Sequence, residues 1–185
     1  MKALRALHNL IVATLLVLSL GAPVRADEAR LDDLFQQLQT ATEEEARAIT
    51  DNIWMEWSKS GSPAMDLLLK RGRDAMNAGF PMVAIDHFTA LIDHDPEFAE
   101  GYNARATAYF QTGDLGPSVA DIAKTLTLNP RHFGALSGLG MIFEQLDEPE
   151  KALEVYQAAL AINPHMSDVR DAVKRLEISV GGQNL

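Results

Sequence analysis

The chain has 185 residues, 47% of them hydrophobic, with 16 basic against 26 acidic side chains, a formal net charge of −10 and no cysteine. That length holds one domain, and the acidic balance argues against nucleic acid and anionic lipid, whose phosphates attract the opposite sign. Without thiols, disulfides, thiolate metal sites and lipoprotein-type lipid anchoring are all excluded.

Residues 1–26 read as a cleaved secretory signal peptide. Lys2 and Arg5 make a basic start, Leu10 to Leu20 is an apolar run, and Val24-Arg25-Ala26 offers small groups at the two positions a signal peptidase reads. The run of about 11 residues falls short of the roughly 18 to 20 needed to span a bilayer, so a membrane anchor is the weaker reading. Cleavage after Ala26 predicts a periplasmic or secreted chain with no stable membrane insertion. The mature chain loses Lys2, Arg5 and Arg25 but no carboxylate, which leaves 13 basic against 26 acidic residues and a net charge of −13. A solvated acidic coat explains this charge better than an acidic docking face.

Residues 27–63 predict a helical hairpin. Leu31, Leu34, Phe35 and Leu38 form the apolar stripe of its first helix. Thr42 followed by Glu45 is a capping-box pattern that opens the second, continued by Ala46, Ile49, Ile53 and Trp57 and ended by Gly61-Ser62-Pro63. Trp54 and Trp57 sit one turn apart. They are expected to cover the exposed edge of the segment that follows, or alternatively to form a protein or dimer interface.

From residue 64 onward the sequence repeats. Asp95-Pro96, Asn129-Pro130 and Asn163-Pro164 recur at a spacing of 34 residues and close units 64–97, 98–131 and 132–164. Each unit predicts two helices joined by a short turn. The first helices carry Leu68, Gly72 and Ala75, then Tyr102, Ala106 and Tyr109, then Leu136, Leu139, Gly140 and Phe143. The second carry Ala84, Phe88 and Leu91, then Ser118, Ile122 and Thr125, then Ala152, Tyr156 and Ala159. Gly72, Ala106 and Gly140 are the column where two helices approach most closely and only a small residue fits. Gly79 and Gly113 end first helices, and Pro81, Pro117 and Pro149 open second ones. Arg105 of the first helix and Asp121 of the second predict an ion pair across the hairpin, whereas Arg71, in the same column as Arg105, has no partner in register.

Residues 165–178 predict a capping helix with Val169, Ala172, Val173 and Leu176 inward and Arg170, Asp171, Lys174 and Arg175 outward. Residues 179–185, with Gly181-Gly182, are expected to fray.

These columns resemble the tetratricopeptide repeat (TPR) family, whose 34-residue motif places a large residue, Leu, Gly, Tyr, Ala, an aromatic, Ala and Pro at fixed offsets. Unit three matches best, through Leu136, Leu139, Gly140, Phe143, Ala152, Tyr156, Ala159 and Pro164. The resemblance covers residues 64–164 and implies an all-α fold, a right-handed α-solenoid of antiparallel helix pairs whose first helices line a concave binding face. On that face it places Lys70, Arg73, Met76 and Asn77 in unit one, Asn103, Thr107, Phe110 and Gln111 in unit two, and Ser137, Met141, Glu144 and Gln145 in unit three. Amides beside Phe110 and Met141 suit an extended peptide or a partner helix. Lys70 and Arg73 would meet an acidic group of the partner, or else balance nearby acids such as Asp66 and Asp74. The family's two-carboxylate clamp is not expected, because Leu69, Ala104, Gly134 and Gly138 occupy several of its positions.

No chemistry-bearing motif competes with this reading. His87, His94, His132 and His165 match no ligand spacing, and there is no His-Glu-x-x-His, phosphate-binding glycine loop or Gly-x-Ser-x-Gly elbow. His132 and His165 follow successive closing prolines and could approach each other, but two imidazoles without a placed carboxylate make no metal site. No cofactor and no enzyme activity are expected. The layout resembles small signal-peptide-bearing periplasmic TPR proteins of Gram-negative bacteria, which implies an adaptor or scaffold for an envelope protein. A monomer is expected rather than a homo-oligomer. The alternatives are a structural protein self-associating through the Trp54 and Trp57 end, and an accessory to, or itself, a cell-wall hydrolase.

Overall fold

The computed structural model describes residues 22–183, with no strand among them. The expected signal peptide lies outside the described residues except for its last five, which begin helix α1. The elements are α1 (Ala22–Thr40), α2 (Glu43–Trp57), α3 (Pro63–Asn77), α4 (Pro81–His94), α5 (Ala99–Thr112), α6 (Leu115–Leu128), α7 (Phe133–Gln145), α8 (Pro149–Ile162) and α9 (Ser167–Gln183). No described helix is long and apolar enough to cross a membrane.

Local chemistry sets these boundaries. The Glu45 N–H donates to the Thr42 hydroxyl, and the Thr42 N–H donates to the Glu45 carboxylate at 2.9 Å, so the capping box at α2 forms as its sequence dictates. Pro63, Pro81 and Pro149 stand at the first helical position, where a missing N–H costs nothing. Asp95, Asn129 and Asn163 each cap a second helix in non-helical backbone, with φ of −137°, −136° and −127°, because the proline that follows disfavours helical geometry in the residue before it. Gly113 ends α5 in the left-handed region at φ 82°; unit three makes the equivalent turn with Asp147 at φ 59°.

Helices α3/α4, α5/α6 and α7/α8 form the three pairs, and α9 packs on α8. A Cβ placed on Gly72 would land on the Phe88 ring, and one on Gly140 on the Tyr156 ring, which is why that column tolerates only small residues. Phe88 is fully buried, contributing about 1.5–3 kcal/mol by area. In unit two the Ser118 hydroxyl donates to the Ala106 carbonyl at 2.8 Å at the same crossing. Arg105 reaches Asp121 through two N–H donors at 2.7 and 2.9 Å, and that hydrogen bonding holds the guanidinium pKa above its ordinary value. Arg71 is exposed.

Two features differ from expectation. Helix α9 runs through Gly181 and Gly182 to Gln183, past the point where fraying was expected at residue 179; its apolar stripe Val169, Ala172, Val173 and Leu176 is buried against α8. The α1–α2 hairpin does not stack on unit one. Its cluster of Leu34, Phe35, Leu38, Ala46, Ile53 and Trp57 instead takes in Phe133 at the start of α7, with Ile162 and Met166 beside it. The turn that makes this possible is Ser58–Ser62, in which Gly61 adopts φ 77°. Unit one keeps an uncovered edge on which Leu67, Phe80, Met82 and Val83 are exposed.

Candidate protein-interaction surface

Helix α2 crosses the stack along the feet of the first helices. At its C-terminal end the Ser58 hydroxyl accepts from Arg73 of α3 at 3.0 Å. Its last residue, Trp57, lies flat on His132, with ring centroids 4.3 Å apart and planes 16° from parallel. Trp54 meets His132 and Phe133 edge-on and fills the space above Gly134, where a Cβ would come within 2.5 Å of its ring. At its N-terminal end Glu43 pairs with Arg170 of α9 at 2.8 Å. The hairpin is tied further by Gln39 donating to the Ile162 carbonyl at 2.8 Å, by His165 Nε2 at 3.0 Å from the Leu38 carbonyl, and by Arg131 on Asp32 at 2.7 Å.

Beneath Trp57 is a buried polar floor. Glu100, 3% exposed, accepts from Arg73 at 2.6 Å and Asn103 at 3.1 Å, and lies 3.0 Å from His132 Nε2. His132 is the N-cap of α7, and its Nδ1 accepts the Ala135 N–H at 3.0 Å. That role leaves Nδ1 without a proton, so Nε2 carries one and donates it to Glu100. All of the carboxylate's donors come from the repeats and none from the hairpin. A buried carboxylate is stable here because three side chains satisfy it.

The residues expected on the concave face divide three ways. Arg73, Met76, Asn77, Asn103, Thr107 and Gln111 line one cleft of about 250 Å³ between α3 and α5. Ser137 lines a second, of about 410 Å³, walled on its other side by α2 through Glu43, Arg47, Thr50, Asp51 and Trp54. The remainder are not brought into either cleft. Lys70 pairs with Asp74 at 2.6 Å in solvent, while Asp66 turns back to Ser60, so the acid that meets Arg73 is Glu100 and neither of the two expected. Phe110 packs against the apolar cluster of Ala106, Ile122, Ala135 and Ile142. Glu144 accepts from Arg175 at 2.5 Å and from the Tyr156 hydroxyl at 2.8 Å, and Arg175 above all holds its carboxyl below the ordinary range. Burial, and then Glu144, pushes the Tyr156 hydroxyl well above its ordinary value. Met141 and Gln145 are exposed.

Two tetratricopeptide repeat models match the sequence, over residues 69–122 and 134–166. A TPR repeat-containing protein of Rhizobium etli is 33% identical over 154 residues, which make up 83% of this chain and 76% of that relative. The chain belongs to the tetratricopeptide repeat family. Another relative, an Hsp70-Hsp90 organizing protein of Triticum aestivum, is 30% identical over 92 residues, half of this TPR chain but 16% of that protein. Among solved structures, the first TPR of Spaghetti (RPAP3) bound to the HSP90 peptide SRMEEVD superposes with a TM-score of 0.60 at 23% identity, covering 63% of this chain and 93% of that one, a likeness of fold.

The TPR columns did not point to Glu100 or His132 as neighbours, nor to Gly134 as the seat of Trp54. Glu100 lies at a position where an acid ordinarily meets solvent, and a single histidine after a closing proline reads as a loop residue. The signal available was that His132 occupies an N-cap position, where an imidazole with an acceptor nitrogen can replace the usual hydroxyl. Trp54 and Trp57 are not at an end of the stack: Trp57 is 8% exposed and Trp54 half-buried, both on unit three. His132 and His165 each bind their own partner, and among the described residues no group of three or more metal-ligating side chains converges.

Proposed function

We propose that the chain is a non-catalytic periplasmic adaptor that holds a peptide or helix of an envelope protein on its concave face. The cleft between α3 and α5 carries the reading. Asn77, Thr107 and Gln111 offer amide and hydroxyl groups that suit a peptide backbone, and Met76 adds apolar area beside them. The export signal read in Lys2, Arg5, Leu10–Leu20 and Val24-Arg25-Ala26 supports the periplasmic assignment. That a related fold is held with an HSP90 peptide supports a peptide-binding role in general.

The ligand differs from a doubly acidic C-terminus, because Leu69 and Ala104 are buried in the core and Gly134 lies under Trp54. The test is affinity capture from the envelope fraction with the mature chain. Asn77→Ala with Gln111→Ala should abolish capture while leaving helix content and melting unchanged. Equal capture by the variant rules out this cleft, and turnover of cell-wall material by the purified chain would overturn the non-catalytic reading. Lys70, Arg73 and Phe110 are poor targets for this test, since the last two hold the fold together and the first is bound to Asp74.

A further inference from the structure

We propose that α2 is an intramolecular occupant of a second binding site, at the foot of the concave face. That site takes an amphipathic helix bearing two aromatic residues three positions apart, and such a helix displaces the α1–α2 hairpin as a strap hinged at Ser58–Ser62. The adaptor reading underlies this only in supplying a reason for a partner.

The strap and its seat each hold charge partners for their own buried carboxylate, and what they share is the apolar contact of the hairpin with Phe133, Ile162 and Met166. Buried Glu56 on α2 accepts a hydrogen bond from Lys59 at 2.7 Å and pairs in charge with Arg30 at 3.0 Å, both from the hairpin or its turn, while its Oε1 makes no hydrogen bond. Buried Glu100 is satisfied by Arg73, Asn103 and His132, all from the repeats. The apolar clusters of units one and two contain no hairpin residue, so the stack keeps those cores when the strap leaves. Of the polar ties that fasten it, the two ion pairs, Glu43 to Arg170 and Asp32 to Arg131, are solvent-exposed on the acidic side and weak for that reason, which leaves the hydrogen bonds of Gln39, Ser58 and Leu38 to hold it.

What the seat recognises is read from what it holds. Gly134 leaves a notch that Trp54 fills, the flat imidazole of His132 receives Trp57, and Arg73 projects toward the hydroxyl that follows. A partner helix that presents the same aromatic pair meets a site already formed. Because the strap competes from the same chain at an effective concentration of order millimolar, the site is masked until such a helix arrives or the ties are broken.

The experiment uses the mature chain carrying Glu43→Cys and Arg170→Cys, in a sequence otherwise free of cysteine. The probe is a dye-labelled peptide copying residues 43–59 with Trp54→Phe and Trp57→Phe, so that the protein's only two tryptophans report on the strap alone. Peptide anisotropy should saturate while the tryptophan emission of the protein moves red over the same range. Joining the two cysteines with a short bismaleimide should weaken binding at least tenfold. Equal binding by joined and open chains, binding without an emission shift, or no saturation of the open chain by about 1 mM peptide each overturns the proposal. Envelope capture through the α3–α5 cleft depends on Asn77 and Gln111, so it can succeed or fail independently of this outcome.

Discussion

Trp57 of the N-terminal hairpin lies flat on His132, the residue that caps the first helix of unit three, and the stack seals Glu100 beneath it. A side chain far outside the repeats thereby closes over their charged floor. Trp57→Ala should loosen the hairpin by about 3 kcal/mol or more while the repeats stay folded. Limited proteolysis should then cut near Ser58–Ser62 before any site within residues 64–164.

Arg105 departs from the repeat consensus and is compensated by Asp121, which is 6% exposed. Asp121→Ala leaves a half-buried guanidinium without its acceptor and should cost about 3 kcal/mol in chemical denaturation. The double change Arg105→Leu with Asp121→Ala should recover most of that loss, since an apolar side chain suits the column. Arg105→Lys should not restore wild-type stability, because one ammonium cannot make both bonds.

Gly140 and Tyr156 are shaped to each other at the unit-three crossing. Gly140→Leu should overpack that crossing and cost about 1–3 kcal/mol or more. Tyr156→Ala should cost about 3–5 kcal/mol, whereas Tyr156→Phe, which loses only the bond to Glu144, should cost about 1 kcal/mol. Thermal melts of the three variants would rank them.

Acid should unfasten the C-terminal cap. The carboxyl of Glu144 is held below its ordinary value of 4.5 by Arg175, so the unfolded chain binds its proton more readily than the folded one. Its contribution is present above pH 4.5 and is lost as pH falls through the lower folded value. Melting temperature followed from pH 6 to pH 3 should fall less steeply for Glu144→Gln than for the natural chain.

The repeats were legible because a period of 34 residues fixes both which residues are buried and which neighbour they meet. Gly72 against Phe88 and Arg105 with Asp121 both follow from register, and the Thr42 capping box follows from its own local Thr-x-x-Glu pattern. The hairpin lies outside that period. Leu34, Leu38 and Ile53 reveal that it has a buried stripe, but a stripe does not name its partner, and Phe133 is remote in sequence. The concave face was legible in part for a similar reason. Helix rotation sets a partly buried Phe110 against the apolar cluster of Ala106 and Ile122, and Arg175, from a helix beyond the last repeat, claims Glu144. His132, stacked under Trp57 of the hairpin, and Glu100 beside it are buried, and the repeat period alone does not foretell it.

The central claim is that the hairpin lies across the feet of the first helices and not in line with the stack. A proton NOESY spectrum of the mature chain tests it directly. Cross-peaks between the Trp57 indole and the His132 imidazole are the predicted result. Cross-peaks from Trp54 and Trp57 to Leu67, Phe80 or Met82 on the edge of unit one, with none to His132, would contradict it.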